Sequence, residues 1–399
     1  MRLRTHRKID KTILTTEGSI QYNRYVLRPD GPEAAEALLK LNGSKAVVPL
    51  DDYLRIAELP FKITVSMMLE IAYWAAKTGS YQDAEDFLKR TKGISVSDDT
   101  IRKVVNYIGD LVFENDCRLA RACEVELNSR VRNASYSKQG TLYLQTDGAA
   151  LNTRTRDQND STWRENKLGL AFSSDHIRYW KNTKGQTQHR ILSREYISFI
   201  GGAQEFKYHL YALAIRAGYG EYADTVILSD GATWIRNIKN ELFPDAQQIL
   251  DLFHLKENTY EFAKQLFKDN KEKYEPWAED ICKRLEDGKW KEVLKDLKRY
   301  KNIPARQGSV NLYTYIDNNR DNIDYPAYKA KGFFVGSGAI ESGNKIVLQN
   351  RLKLPGMRWN VPTAQCMLSL KAKIESNKWD SVVVPLIYKL MSQPSSPAM

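Results

Sequence analysis

Apolar positions along this chain change their spacing several times, and each change marks a change of element. Residues 12–28, TILTTEGSIQYNRYVLR, alternate apolar and polar about a Glu-Gly pair, which predicts a β-hairpin bearing basic side chains. From about Thr64 the period becomes helical, with Val65, Met68, Leu69, Ile71, Ala72 and Ala75 on one face. The stretch SYQDAEDFLKRTKGISVSDDTIRKVVNYIGDLV then reads as a short helix, a turn centred on Gly93, and a second helix opened by Ser97 or Asp98. That layout fits a helix-turn-helix whose second helix carries Arg102 and Lys103, and it equally fits an ordinary helical hairpin.

Beyond Gly140 the texture shifts to short strand-like runs. LYLQTDGAAL, KLGLAFSSD and YISFIGG predict three successive strands, followed by a helix over about 203–217. TVILSDG is a fourth strand, residues from about Trp234 to Leu242 a helix, and QQILDLFH a fifth strand. Three antiparallel strands followed by alternating helices and strands is the order of an α/β ribonuclease-H-like core, a mixed five-stranded sheet with flanking helices. In that order the first and fourth strands are neighbours at the sheet centre, so Asp147 and Asp230 would meet. The stretch from about Asn258 to Asn322 is charged and helical with no strand run, which predicts an all-α insertion. The core resumes at FFVGSGAIESGNKIVLQNRL, with Glu341 near a helix start. The expected division is a hairpin and mixed region at 1–60, a mainly helical DNA-binding region at 61–138, and the first part of the core at 139–257. The insertion follows at 258–325, C-terminal core helices at 326–385, and a disordered tail at 386–399 ending in SQPSSPAM.

Composition narrows the chemistry. Sixty Lys+Arg against 49 Asp+Glu give a net charge of +11, which favours a polyanionic partner without singling out nucleic acid. Cys117, Cys123, Cys282 and Cys366 form no CxxC pair and have no His at zinc-ligand spacing, so reduced thiols in a cytosolic protein are expected. The basic start MRLRTHRKIDK has no apolar stretch after it, and no run approaches the roughly 18 residues of a membrane span. A soluble protein with no membrane partner is the expectation. No P-loop appears, so no ATP-driven step is expected, and no GxSxG elbow supports a serine hydrolase.

The acids supply the sharpest signal. Asp147 and Asp230 each close an apolar run and precede a glycine, which places a carboxylate at the carboxyl end of a strand. Glu341 lies among small residues that let a metal and the backbone approach. Three carboxylates from separate elements suit two hard cations, Mg²⁺ or Mn²⁺, spaced about 4 Å apart for in-line phosphoryl transfer. Asp251 and His254, in DLFH, offer a proton carrier or phosphate contact beside them, or simply an N-cap with a His in the first turn. In RLKLPGMRW, Arg351, Lys353 and Arg358 surround a Pro-Gly turn next to Trp359. That cluster suits phosphate contacts and a stacked or wedged base, or is a solvated basic loop. Trp277 and Trp290 read as core rings before base-stacking ones.

Taken in order, LYLQTDGAALNTR, VILSDGATWI, ILDLFHL, GSGAIESGNK and RLKLPGMRW resemble a bacterial insertion-sequence transposase of the DDE type. The resemblance is to the Mutator-like superfamily and, within it, the ISLre-type group, and it covers about residues 10–375. It implies Asp147, Asp230 and Glu341 as a catalytic triad on two Mg²⁺, with Asp147 bridging both ions. It also implies Asp251 and His254 as the Asp-x-x-His signature and residues 80–102, SYQDAEDFL to ISVSDDTIR, as the upstream helix-turn-helix. The implied activity is cleavage and strand transfer of double-stranded DNA at an element's terminal inverted repeats and at its target. Work on two DNA ends implies a homodimer or larger assembly on DNA, in the cytoplasm at the nucleoid. The family pattern carries further basic sequence before the hairpin, so terminal-repeat recognition is the part of the resemblance least supported. A metal-dependent nuclease without strand transfer shares every site feature, and a non-catalytic helix-turn-helix DNA-binding protein is the other class.

Overall fold

Strands β1 (Leu3–Thr15) and β2 (Gly18–Pro29) pair antiparallel about the expected Glu-Gly turn, where Gly18 takes φ +107°. The structure is a computed structural model and describes residues 2–42, 44–54, 56, 59–127, 137–306 and 309–392. Behind the hairpin, buried Asp51 accepts hydrogen bonds from Lys11 Nζ and Tyr22 Oη, each at 3.0 Å, and pairs with Arg24. A buried carboxylate needs such partners, and this one pins the ribbon to the short helix Pro49–Tyr53.

The chain divides into two compact units, one of Met1–Glu114 with Pro362–Met399 and one of Asn115–Val361. In the first, the helix Val65–Lys77 starts at Thr64, whose hydroxyl caps Met67 N, and buries Met67, Met68, Leu69, Ile71, Ala72 and Ala75. The helix Tyr81–Lys92 is capped by Ser80 and ended by Gly93 at φ +68°, and the 30-residue helix Asp98–Leu127 follows after five residues, its part beyond Glu114 belonging to the second unit. The expected pair of helices is therefore present. The helices from Pro362 onward, expected with the core, belong instead to this unit. Gly109 explains how, since a Cβ there would lie 2.6 Å from Cys366 Cβ, so the two helices approach at backbone distance. The tail expected to be disordered from 386 is helical through Ser392, and 393–399 lie outside the described residues.

The second unit holds β3 (Lys138–Asn152), β4 (Trp163–Ser173), β5 (Ile177–Lys181), β6 (Thr187–Ile191), β7 (Glu195–Ile200), β8 (Tyr222–Ser229) and β9 (Gln247–Leu250). Five of them form a mixed sheet in the order β7-β4-β3-β8-β9, antiparallel from β7 to β3 and parallel from β3 to β9. The strands expected first and fourth, β3 and β8, are neighbours as anticipated. The separate hairpin β5–β6 stands where only polar turns were expected.

Phe206, Leu210, Leu213 and Ala214 of the helix Ala203–Arg216 recur at helical spacing and pack with Leu142, Leu144, Ile197 and Ile227 of the sheet. The helix Thr233–Leu242 adds Ile235, Ile238 and Leu242 to the same core. Between β9 and Gly338 the described residues hold helices and no strand. There half-buried Trp277 packs among Phe262, Phe267 and Tyr300. No disulfide joins the four cysteines, and no helix among the described residues is long and apolar enough to cross a membrane.

Candidate metal centre

Parallel pairing sets the acids in step. The β3–β8 register ends at Gln145 opposite Leu228, and two residues further along each strand come Asp147 and Asp230. The β8–β9 register ends at Ser229 opposite Leu250, one residue before Asp230 and Asp251. One expectation needs correction here. Asp147 does not close its strand: it pairs with Leu168, and β3 runs on beside β4 to Asn152. Asp147 marks the end of the pairing with β8 alone, and Gly148 is a strand residue, with no room for a Cβ beside the Glu165 carboxylate. At Asp230 the turn is real, because Gly231 takes φ +88° and Ala232 N donates to Asp230 Oδ1 at 2.9 Å.

Asp251 is an N-cap as well as a site residue, accepting from Phe253 N at 2.8 Å. Two tyrosines from the helical region hold these strand ends. Tyr315 Oη donates to Asp230 O at 2.7 Å, and Tyr325 Oη donates to Leu250 O at 3.0 Å. Burial pushes both phenols well above their ordinary value, so they act as fixed donors.

Glu341 arrives on the helix Gly338–Gly343, which continues into a π-helical segment at Asn344–Gln349. Buried Gln145 accepts from Ile340 N at 2.9 Å, and Gly343 seats the helix where a Cβ would lie 2.6 Å from the Tyr196 ring. The Ser337 hydroxyl bonds Asp251 Oδ2 and lies 3.3 Å from Glu341 Oε1. The π segment, a feature frequent at functional sites, brings Asn344 round so that its Nδ2 donates to Asp147 Oδ2 at 2.6 Å.

One ligand atom each from Asp251, His254 and Glu341 lies within 4.8 Å of the others, a group able to hold a metal ion. Asp251 is wholly buried, His254 half-buried and Glu341 exposed. The ligand set therefore differs from the expected Asp147, Asp230 and Glu341, which do not form such a group among the described residues. The reason is local: Asp147 and Asp230 are each turned onto a neighbouring backbone N–H, Gly148 and Ala232.

The two sets still share Glu341 and one electrostatic environment. Burial pushes the Asp147 carboxyl above its ordinary 3.8, opposed by the Gly148 N–H. The Asp230 and Glu341 charges push it further up, and His254 lowers it. Among the described residues, none of Asp147, Asp230 and Glu341 forms an ion pair with Lys or Arg. Carboxylate and imidazole donors with no basic partner suit a divalent cation. The chain matches no protein-family model, and no curated protein sequence matches it.

The expected basic residues are placed unevenly. Arg351 is 2 % exposed, its guanidinium 5.2 Å from the Trp359 ring, and the Trp359 indole N–H donates to Leu352 O at 3.1 Å. Both side chains are thus interior, which corrects the reading of Arg351 as a phosphate contact and of Trp359 as a base wedge. Lys353 and Arg358 are exposed and border a groove of about 250 Å³ with Trp163 and Asn152. Arg102 and Lys103 both reach Asp99 on their own helix, at 2.5 and 2.7 Å.

Sequence reasoning passed over Gln145, Ser337, Asn344 and Tyr315. A weak signal existed for three of them: Gln145 lies two residues before Asp147 on the same strand face, and Ser337 and Asn344 stand one helical turn either side of Glu341.

Proposed function

We propose that this protein is a DDE-type transposase that cleaves double-stranded DNA at an element's terminal inverted repeats and joins the freed ends to target DNA. The observation that carries this reading is a set of carboxylates in step where the parallel pairing of β3, β8 and β9 ends, without a Lys or Arg partner, in a chain of charge +11. On this reading the sheet is a ribonuclease-H-like core, and the helices between β9 and Glu341 are its all-α insertion. Asp147, Asp230 and Glu341 would hold two Mg²⁺ or Mn²⁺. When bound, such ions stabilise charge on the attacking and leaving oxygens of an in-line displacement.

The protein's own groups prepare that chemistry. Asn344 and the Gly148 N–H orient the Asp147 carboxylate. Ser337 ties Glu341 to the buried Asp251. His254 rests Nδ1 3.3 Å from Glu257 and turns Nε2 toward Asp251 at 3.8 Å, where Nε2 can hold a proton from the attacking hydroxyl. Transesterification conserves the phosphodiester, so ATP has no part, and two DNA ends require a dimer or larger assembly.

The test is a Mg²⁺-dependent cleavage and joining assay comparing wild type with Asp230→Ala, alongside calorimetric Mn²⁺ binding. Joined products should fall by at least ~10³-fold in the variant, in line with loss of transition-state charge stabilisation. Cleavage without joining would leave a nuclease. Nucleic-acid binding with neither cleavage nor cation uptake would leave a non-catalytic binding protein.

A further inference from the structure

The β5–β6 hairpin takes no part in the carboxylate site. From Ile177 to Ile191 it carries Arg178, Lys181, Lys184 and Arg190 and no acidic residue. Its turn is well defined: Asn182 Oδ1 accepts from Lys184 N at 3.0 Å and Gln186 N at 2.9 Å, and Gly185 takes φ +75°. Directly opposed residues of an antiparallel ribbon share a face. On one face Ile177 opposes Ile191 and Tyr179 opposes His189, whose ring lies 4.7 Å from Phe334. On the other face Arg178 opposes Arg190, and Trp180 opposes Gln188 beside them.

That second face is unfavourable by itself. Like charges directly opposed destabilise a ribbon, and neither arginine has an ion-pair partner among the described residues. Trp180 is 46 % exposed and Tyr179 55 %. A lone exposed aromatic is ordinary surface. An exposed indole beside two opposed, unpaired guanidiniums and an amide is a different combination. Guanidiniums suit phosphate oxygens, and an indole face suits a base of any identity.

The hairpin also departs from the sheet well before the acids along β3. It leaves the sheet after Ser173, which pairs with Leu142, five residues before Asp147 on β3, or roughly 17 Å at about 3.4 Å per residue.

We propose that the β5–β6 hairpin binds a nucleic-acid strand, with Arg178 and Arg190 holding backbone phosphate and Trp180 stacking on an unpaired base. The proposal rests on the reading of the protein as acting on DNA, and its test is separable from that reading. The full chain would be titrated with labelled oligodeoxythymidylate in cation-free buffer across a salt series, as wild type, Arg178→Gln/Arg190→Gln, Trp180→Ala and Asp230→Ala. The glutamine pair removes the repulsion, so circular dichroism should show an intact fold. It should weaken binding about tenfold and reduce the salt slope by about 1. Trp180→Ala should weaken binding roughly fivefold or more with the slope unchanged.

Unchanged affinity and slope in the folded glutamine and alanine variants would overturn the proposal. So would a loss seen only on anionic lipid vesicles. Asp230→Ala should bind like wild type. Hairpin-dependent binding without Asp230-dependent cleavage would remove the transposase reading and leave the hairpin, and the reverse would remove the hairpin alone.

Discussion

Asp147 shows how a single residue is held at a cost to the fold. Burial and two nearby carboxylates raise its pKa, so its ionised form is less stable in the folded protein than in the unfolded chain. The sign follows from that. The cost is absent below the ordinary carboxylate value of 3.8 and grows as pH rises from there through the raised folded value. Asp147→Asn should therefore raise the melting temperature in cation-free buffer at pH 7 and leave it unchanged near pH 3. Asn344 can accept the new amide, since its own Oδ1 is buried without a partner and a flipped amide presents it to residue 147. Scanning calorimetry at the two pH values checks this. A neutral-pH melting temperature below wild type would show that the carboxylate is structural instead of strained for function.

At the scale of elements, the helix Gly338–Gly343 decides whether Glu341 reaches the strand ends. Its closest approach is Gly343, where a Cβ would lie 2.6 Å from the Tyr196 ring and 3.2 Å from Leu168. Both neighbours are buried, so neither can yield cheaply. Gly343→Ala should lift the helix and cost about 1–3 kcal/mol despite alanine's better helix propensity. It should also weaken Mn²⁺ uptake by roughly tenfold, the equivalent of about 1.4 kcal/mol. Denaturant melts and calorimetric Mn²⁺ titration report the two effects separately. Wild-type stability with wild-type uptake would mean that the helix position is not set by this contact.

At the scale of the whole molecule, the chain's first and last segments build one unit. Within it Trp379 lies edge-on to Tyr73, Tyr388 Oη is 2.7 Å from Ser66 Oγ, and Lys77 pairs with Glu375. A chain ending at Val361 would strip these partners from the helices Val65–Lys77 and Asp98–Leu127 and expose their apolar faces. Such a truncation should lose the cooperative melt of the first unit and bind a hydrophobic dye. Circular dichroism melts and dye fluorescence test it, and a cooperative two-step melt in the truncated chain would refute the closure.

Local spacing alone determined much of this protein. The alternation at 12–28 set the first hairpin, helical periodicity set the helices after Thr64, and five short apolar runs with Gly turns set the core strands and their acids. Those features depend on neighbours within a few residues, where a period of 2 or 3.6 is visible. Other features were decided only by tertiary structure. Glu341 forms a metal-sized group with Asp251 and His254, Arg351 turns inward onto Trp359, and the residues from Pro362 share a unit with the first 114. Each of those outcomes depends on how a side chain or helix packs against residues brought near it by folding. A missing Cβ at Gly343 or Gly109 and a guanidinium over an indole act over a few ångströms in space, and no spacing along the chain encodes them.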